Sequence, residues 1–190
     1  MPDNKKVILF SAPSGCGKTT IIGRLLKYFD CFEFSISATS RAPRNGEQNG
    51  VDYYYMSTAE FKERVKHGEF LEWEEVYEGT CYGTLLSEIE RIWNNGHVIL
   101  FDVDVKGGMS LKRHFGANAL SIFVMPPNEE ELERRLRSRG TEDEASIARR
   151  LKRSVAELRE SDKFDHTVIN DNLDRAVLEV KKLIEEFLDN

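Results

Sequence analysis

VILFSAPSGCGKTTIIGRLL, residues 7–26, is the stretch that decides the fold. It opens with an apolar run at 7–10, which is typical of a strand buried on both faces of a sheet. A Gly-rich loop follows, and after Lys18 and Thr19 apolar residues recur at helical spacing. A strand, a Gly-rich loop, a Lys-Thr pair and a helix in this order predict a phosphate-binding P-loop.

The residue types of this loop suit an anion. Gly15 and Gly17 let the backbone curl so that successive N–H groups point inward, at a helix N-terminus that favours negative charge. Lys18 adds a positive charge for the β- and γ-phosphates of a nucleotide, and the Thr19 hydroxyl is an oxygen ligand of the kind that Mg²⁺ prefers. The competing interpretation is an ordinary Gly-rich turn between a strand and a helix.

Two further positions of the loop bear on that choice. Ala12 stands where the usual pattern G-x-x-x-x-G-K-[ST] has its first glycine, and alanine fits there only with a negative φ angle. We interpret the loop as a tolerated variant, because the inner glycines and Lys18 remain. Cys16 is close to Lys18 and to a helix N-terminus, which can lower the pKa of a thiol. The alternative, which we favour, is a small residue that fills space.

The composition describes a soluble globular chain of 190 residues, 40% hydrophobic and 32% charged, with a net charge of −6. This acidic balance argues against general binding to nucleic acid or to membranes, and no apolar run is long enough to span a bilayer. The chain opens without a signal peptide, and its three cysteines lack metal-ligand spacing. We therefore expect reduced thiols in a cytoplasmic protein, either a monomer or a homodimer.

Charged residues in two segments have roles that the residues alone leave open. Arg41 and Arg44 lie in a polar loop with hydroxyl neighbours, and two guanidinium forks make a good clamp for a phosphate. A solvated turn with two surface arginines is the alternative. Glu72 lies between large apolar residues of a predicted strand, so it faces either solvent or a pocket.

Two later segments fit a P-loop protein. A second apolar strand at 98–101 ends at Asp102, the pattern of a Walker B strand whose acidic residue assists Mg²⁺. This motif is weak alone and gains its value from Lys18. An arginine-dense helix that begins after Asn128 is broken at 140–141, which suggests a mobile lid that carries arginines to a polyphosphate. The alternative is a solvated basic face.

Strands alternate with helices along the chain, which predicts an α/β fold in which a parallel sheet with a P-loop is flanked by helices. Further strands are expected at 32–37, 53–56, 70–74, 120–124 and 168–169, and further helices at 57–67, at 85–95 and from 173 onward. We predict a single domain with a core at 1–33, 97–127 and 155–190. An inserted mixed α/β subdomain at 34–96 and a helical lid at 128–154 complete it.

Four blocks of the sequence resemble the guanylate kinase family. They are SAPSGCGKTT, SISATSRAPRNGEQNGVDYYY, FLEWEEVYEGTCYGT, and RLRSRGTEDEASIARRL with VINDNLDRA after it. They follow the family's order over almost the whole chain, and the second and third blocks are more specific to this family than the P-loop is. The resemblance implies a P-loop kinase that transfers a phosphoryl group from ATP to GMP, with the inserted subdomain at 34–96 as the part that binds GMP.

The resemblance also implies roles for particular residues. It implies that the GMP phosphate is held by Ser37, Arg41, Arg44 and Tyr53, with Tyr82 also near it, and that guanine is read by Glu72, Thr84 and Asp104. Guanine presents N–H donors that suit carboxylates and an O6 acceptor that suits a hydroxyl. Adenine has a different pattern, so unpaired polar groups would disfavour AMP.

For ATP, the resemblance implies a phosphate cradle, a helical lid and a contact near adenine. The residues implied to bind ATP are Ser11, Ala12, Pro13, Ser14, Gly15, Cys16, Gly17, Lys18, Thr19, Thr20 and Asn170, the last near adenine. Those expected to take part in catalysis are Lys18, Arg41, Arg44, Arg139 and Arg150. Thr19 and Asp102 would assist Mg²⁺ through the nucleotide phosphates and water.

Two other functions compete with this one. A catalytically silent protein-binding module is the first, because guanylate kinase-like domains also occur in scaffolds, but such modules are expected to lose P-loop or lid residues that stand here. A P-loop kinase for another monophosphate is the second. Activity on dGMP is expected, and Glu72 and Asp104 disfavour AMP.

Overall fold

The computed structural model describes residues 5–138 and 144–189. The strands are β1 Val7–Ser11, β2 Phe32–Phe34, β3 Ala38–Thr39, β4 Tyr54–Tyr55, β5 Phe70–Tyr77, β6 Thr80–Leu85, β7 Val98–Val103, β8 Ala119–Met125 and β9 His166–Ile169. The helices are α1 Lys18–Leu25, α2 Thr58–Lys66, α3 Leu86–Asn94, α4 Val105–Phe115, α5 Glu129–Arg137, α6 Glu144–Leu158 and α7 Leu173–Asp189.

The described chain divides into two compact units. One comprises Lys5 and Cys31–Leu100, and the other comprises Lys6–Asp30 with the described part of 101–190. The predicted division into a core, a subdomain at 34–96 and a lid at 128–154 stays a prediction.

A five-stranded sheet has the strand order β2-β7-β1-β8-β9. The pairs β2–β7, β1–β8 and β8–β9 are all parallel, with Val7 opposite Ala119 and Ile122 opposite His166. Every residue of β1 is buried, as a strand covered on both faces requires. Helix α4 packs on β1 and β8, and α7 packs on β8 and β9. The expected parallel sheet flanked by helices is confirmed.

A second sheet of four strands has the order β4-β3-β6-β5. The β3–β4 pair is parallel, whereas β6 pairs antiparallel with both β3 and β5. Helix α2 and the sheet enclose a small core of Ala38, Phe61, Cys81 and Leu85, and the Phe61 and Phe70 rings lie 4.4 Å apart. The sheet and α2 together have the mixed α/β character that was expected of the inserted segment.

The boundaries of several elements follow from capping residues in the sequence. Ser57 accepts a hydrogen bond from the Glu60 amide at the start of α2, and Asn128 does the same for the Glu131 amide at the start of α5. Both helix starts are confirmed. Strand β2 is shorter than the expected 32–37. No helix within the described ranges is long and apolar enough to cross a membrane.

Among the strands and α-helices of the described ranges, β3, β6 and α4 were not predicted. Strand β3 has only two residues, and β6 carries Gly83 in its middle, which weakens a strand signal. Helix α4 has Gly107 and Gly108 in its first turns, where glycine lowers helix propensity. Gly108 packs closely against the Phe164 ring, so tertiary packing decides this helix.

Candidate active site

The P-loop joins β1 to α1 with a backbone that two glycines make possible. Gly15 and Gly17 have φ angles of 96° and 88°, and Gly17 is the N-cap of α1. Among the described residues, no side chain caps this helix, so its first N–H groups face an anion position. No non-glycine residue in the described part has a positive φ angle. Ala12 therefore meets the condition set for a tolerated variant.

Lys18 and Asp102, predicted as partners from two separate motifs, lie together. The Lys18 ammonium forms a salt bridge with the Asp102 carboxylate and donates to the Val103 carbonyl at 2.9 Å. Both side chains are mostly buried, at 15% and 22% exposed. Because β7 ends here, the structure places the acidic residue of the Walker B strand beside the P-loop lysine.

Asn170 follows β9 and fixes the backbone of the P-loop. The Asn170 side-chain amide donates to the Cys16 carbonyl at 2.8 Å, and the Asn170 backbone carbonyl accepts from Arg135 at 2.9 Å. Asn170 is 6% exposed, and a Cβ atom on Gly17 would lie 2.3 Å from its Nδ2. The expected position near adenine stays a prediction, and the observed contact is with the loop itself.

The residues of the loop differ in how far a nucleotide can reach them. Ser11 and Cys16 are 0% and 1% exposed, whereas Thr19 and Thr20 are exposed and Ser14 is partly exposed. Burial raises the pKa of the Cys16 thiol to about 12, although Arg135 and Lys18 act to lower it. The hypothesis of a thiol with a lowered pKa is therefore wrong, because desolvation outweighs the neighbouring charges.

The arginines of the basic segment divide into two groups. Arg134 and Arg137 pair with glutamates of their own helix, with Glu131 and Glu133 as partners. The alternative interpretation, a solvated basic face, therefore fits these two arginines. Arg150 instead donates to the Ser14 hydroxyl of the P-loop. Arg139, predicted as a lid arginine, lies outside the described residues, and the lid stays a prediction.

In the unit that contains the four-stranded sheet, Arg41 is the centre of a polar cluster. Its guanidinium binds both carboxylate oxygens of Glu47 at 2.7 Å and donates to the Tyr82 hydroxyl at 3.1 Å. It also lies over the Tyr53 and Tyr55 rings, 5.0 and 5.6 Å from their centroids. The structure thus brings Arg41, Tyr53 and Tyr82 together, and their contact with a GMP phosphate stays a prediction.

Glu47 is a residue of this cluster that the sequence analysis missed. Besides Arg41, its carboxylate accepts from the Arg44 amide and the Tyr55 hydroxyl, each at 2.7 Å. These hydrogen bonds, the one from Arg41 foremost, hold the pKa of Glu47 well below its usual range. The signal was present as a glutamate three residues after Arg44 in the same loop. The Arg44 side chain is exposed, and Ser37 is partly exposed.

Glu72 and Thr84, two of the residues implied to read guanine, lie directly opposite each other on β5 and β6. The Thr84 hydroxyl donates to the Glu72 carboxylate at 2.8 Å, and Thr84 is fully buried. Asp104 belongs to the other unit, where its carboxylate accepts from the Gly107 amide at 2.8 Å and caps α4. Its role toward guanine stays a prediction.

The oxygen atoms at the P-loop suit Mg²⁺ better than a softer metal. The Thr19 hydroxyl is exposed, and the Asp102 carboxylate is partly exposed. No group of three or more His, Cys, Asp or Glu side chains in the described ranges is arranged to hold a metal ion. Mg²⁺ in such sites is usually bound by one or two protein oxygens together with substrate phosphates, which fits this donor set.

A parallel sheet, a P-loop at the end of β1 and an acidic residue at the end of β7 define a P-loop kinase fold. The family profile described as guanylate kinase matches residues 4–187. The chain belongs to the guanylate kinase family, as the four sequence blocks predicted.

Individual relatives agree with this assignment. A guanylate kinase of Bacteroides fragilis is 48% identical over 183 residues, 96% of this chain and 90% of the relative. A guanylate kinase of Salinibacter ruber is 48% identical over 99% of both chains. The crystal structure of guanylate kinase from Anaplasma phagocytophilum is similar with a TM-score of 0.78 at 26% identity, covering 98% of this chain and 87% of that one.

Proposed function

We propose that this protein transfers the γ-phosphoryl group of ATP to GMP, giving ADP and GDP. Family membership supports the reaction class, and the two polar sites support the assignment of each substrate. ATP is assigned to the P-loop, because an uncapped helix N-terminus and Lys18 favour a polyphosphate. The cytoplasm, where both nucleotides are abundant, is the proposed location.

On the ATP side, we assign the contacts to the exposed and partly exposed members of the loop. Lys18 would leave Asp102 to bind the β- and γ-phosphates, and Arg150 would exchange Ser14 for the transferring phosphoryl group. Mg²⁺ would be held by Thr19 and Asp102, and it supplies charge neutralisation on the phosphates. Ser11 and Cys16 support the loop from inside.

On the GMP side, the Arg41 cluster is the proposed phosphate site. Arg41 is already oriented by Glu47 and by the tyrosine rings, so little side-chain entropy is lost when a phosphate binds. Arg44 adds an exposed guanidinium, and Ser37, Tyr53 and Tyr82 add hydroxyl groups. A phosphate oxygen of GMP is itself the nucleophile, so catalysis rests on positioning and charge neutralisation without a general base.

The observation that carries guanine specificity is the Glu72–Thr84 pair. The Glu72 carboxylate offers acceptors to the N–H donors of guanine, and the Thr84 hydroxyl on the facing strand, which donates to Glu72 at 2.8 Å in this structure, would rotate to donate to O6. Adenine would leave this carboxylate without its donors, which costs binding free energy in a partly buried site.

Glu72→Gln tests this assignment. We expect the KM for GMP to rise by about tenfold or more, with the KM for ATP within about twofold of wild type, because GMP is the one of the two substrates that is assigned to this side chain. For inosine monophosphate, which lacks the 2-amino group, the substitution should raise the KM by a smaller factor than it does for GMP. Glu78→Gln, in the exposed turn after β5, is the matched control. An unchanged KM for GMP would mean that Glu72 is only a solvent-facing strand residue.

A further inference from the structure

We propose that Glu88 is a positioning residue that fixes the phosphate-binding part of the GMP site, an inference that rests on the proposed function. Glu88 lies in α3 and is not among the residues assigned to a substrate. Its side chain is only 1% exposed, which is rare for a glutamate. A carboxylate is buried at this depth only when several donors satisfy it.

Four hydrogen bonds converge on the two oxygens of Glu88. One oxygen accepts from the Ile36 amide at 2.9 Å and from Arg91 at 2.8 Å. The other accepts from the Tyr54 hydroxyl at 2.9 Å and from a second nitrogen of Arg91 at 2.9 Å. Although burial raises its pKa, these bonds, with Arg91 first, hold the pKa of Glu88 below its usual value. The carboxylate is therefore charged and fully engaged.

Two of these donors are next to residues of the proposed phosphate site. Ile36 directly precedes Ser37, and Tyr54 directly follows Tyr53. The Tyr54 amide also donates to the Ser37 carbonyl at 2.9 Å, so the two segments are joined to each other as well as to Glu88. One buried carboxylate thus sets the backbone from which the Ser37 and Tyr53 side chains project.

Arg91 connects Glu88 to strand β2, and we call the group of Glu88, Arg91, Glu33 and His97 the anchor. Its guanidinium also pairs with Glu33 in β2, and Glu33 lies 2.6 Å from the His97 ring nitrogen. The arginine therefore bridges two carboxylates, and α3 is held to β2 on one side and to the phosphate loops on the other. None of the residues of this anchor is assigned to a substrate.

Steady-state kinetics of Glu88→Gln test the proposal. Glutamine keeps the size of the side chain but loses the charge that pairs with Arg91 and one of the acceptor oxygens. We expect the KM for GMP to rise by about tenfold, and the KM for ATP and kcat at saturating GMP to stay within about twofold. Glu90→Gln, an exposed glutamate on the same helix, is the matched control and should behave as wild type.

Competition by guanosine separates positioning of the phosphate site from general damage. Guanosine lacks the phosphate, so its inhibition constant against GMP should change by less than about twofold in Glu88→Gln. An equal loss for guanosine and GMP would overturn the proposal, because Glu88 would then support the whole unit. An unchanged KM for GMP would overturn it as well.

Tyr54→Phe gives the test a second, milder route if Glu88→Gln does not fold. It removes one of the four donors, so we expect the KM for GMP to rise by about threefold with kcat retained. An unchanged KM in Tyr54→Phe would overturn the proposal. If wild type and Glu90→Gln both fail to phosphorylate GMP, the proposed function fails first, whereas normal controls with an unaffected Glu88→Gln refute only the role of Glu88.

Discussion

At the scale of single residues, the sequence predicted that Lys18 and Asp102 belong to one site, and the structure places them side by side in a salt bridge. Each belongs to a motif with its own spacing, and parallel strands place the ends of β1 and β7 at the same edge of a sheet. Glu88 could not be predicted in this way. The fold brings two of its donors, the Ile36 amide and the Tyr54 hydroxyl, from distant segments, and no local pattern in the sequence encodes them.

Lys18→Ala should reduce kcat far more than it weakens GMP binding. The lysine is assigned to the transferring phosphate, and removal of a positioned charge from such a site costs roughly 100- to 1000-fold in kcat. Parallel measurement of kcat and of the dissociation constant for GMP checks this. Lys27→Ala, an exposed lysine after α1, should change neither. An equal loss of turnover and GMP affinity would count against the phosphate role.

At the scale of elements, the P-loop and α1 depend on a close approach between Gly17 and Asn170. A side chain at Gly17 would need a φ angle of +88° and would displace the Asn170 amide from the Cys16 carbonyl. Gly96, at φ +77° after α3, has open space around it. A substitution at Gly96 therefore measures backbone strain alone, whereas one at Gly17 measures strain together with the steric contact to Asn170.

Gly17→Ala should lower the free energy of unfolding by about 2–3 kcal/mol, and Gly96→Ala by about 1 kcal/mol. Denaturant titration of both variants measures the difference. In an Asn170→Ala background the additional cost of Gly17→Ala should fall to that of Gly96→Ala, because the contact is gone. Equal costs at the two glycines in the wild-type background would show that Asn170 does not constrain the loop.

The anchor between β2 and α3 predicts a dependence of stability on pH. Burial raises the pKa of Glu33, but hydrogen bonds from His97, Arg91 and Asn95 lower it from the usual 4.5 to about 2. A carboxyl group with a lowered pKa in the folded state stabilises the fold above pH 4.5. That contribution is lost as the pH falls from 4.5 towards 2.

Glu33→Gln should therefore be less stable than wild type at pH 7, and the difference should shrink as the pH falls towards 2. The free energy of unfolding, measured by urea titration at several pH values, gives both curves. A constant difference between the two proteins over this range would contradict the assignment of the lowered pKa to Glu33.

The sequence predicted elements unevenly, for physical reasons. The buried strands β1, β7 and β8 are continuous apolar runs, and the starts of α2 and α5 carry capping residues. Helix α4 was missed because two glycines hide its periodicity, while its stability comes from packing against β1 and β8. Strand β6 was missed because Gly83 interrupts it, and because its pairing with β3 joins segments that are far apart in the sequence.

At the scale of the whole molecule, the alternation of strands and helices was enough to predict a parallel sheet flanked by helices. The order β2-β7-β1-β8-β9 was not predicted, because strand order depends on contacts between distant segments. The family was reached through four sequence blocks, and the profile match over residues 4–187 confirms it. The substrate assignments rest on two polar sites that lie in different units, one with the P-loop and one with Arg41 and Glu72.

The most direct test of the central claim is ADP formation from ATP and Mg²⁺ with GMP, dGMP, AMP, UMP and CMP offered as separate acceptors. We predict ADP with GMP and dGMP alone, because the Glu72–Thr84 pair is proposed to select guanine and no assigned residue demands a 2′-hydroxyl. ADP with AMP or a pyrimidine nucleotide would contradict the guanine site. No ADP with any acceptor, from folded protein that still binds GMP, would contradict the kinase itself and favour a silent binding module.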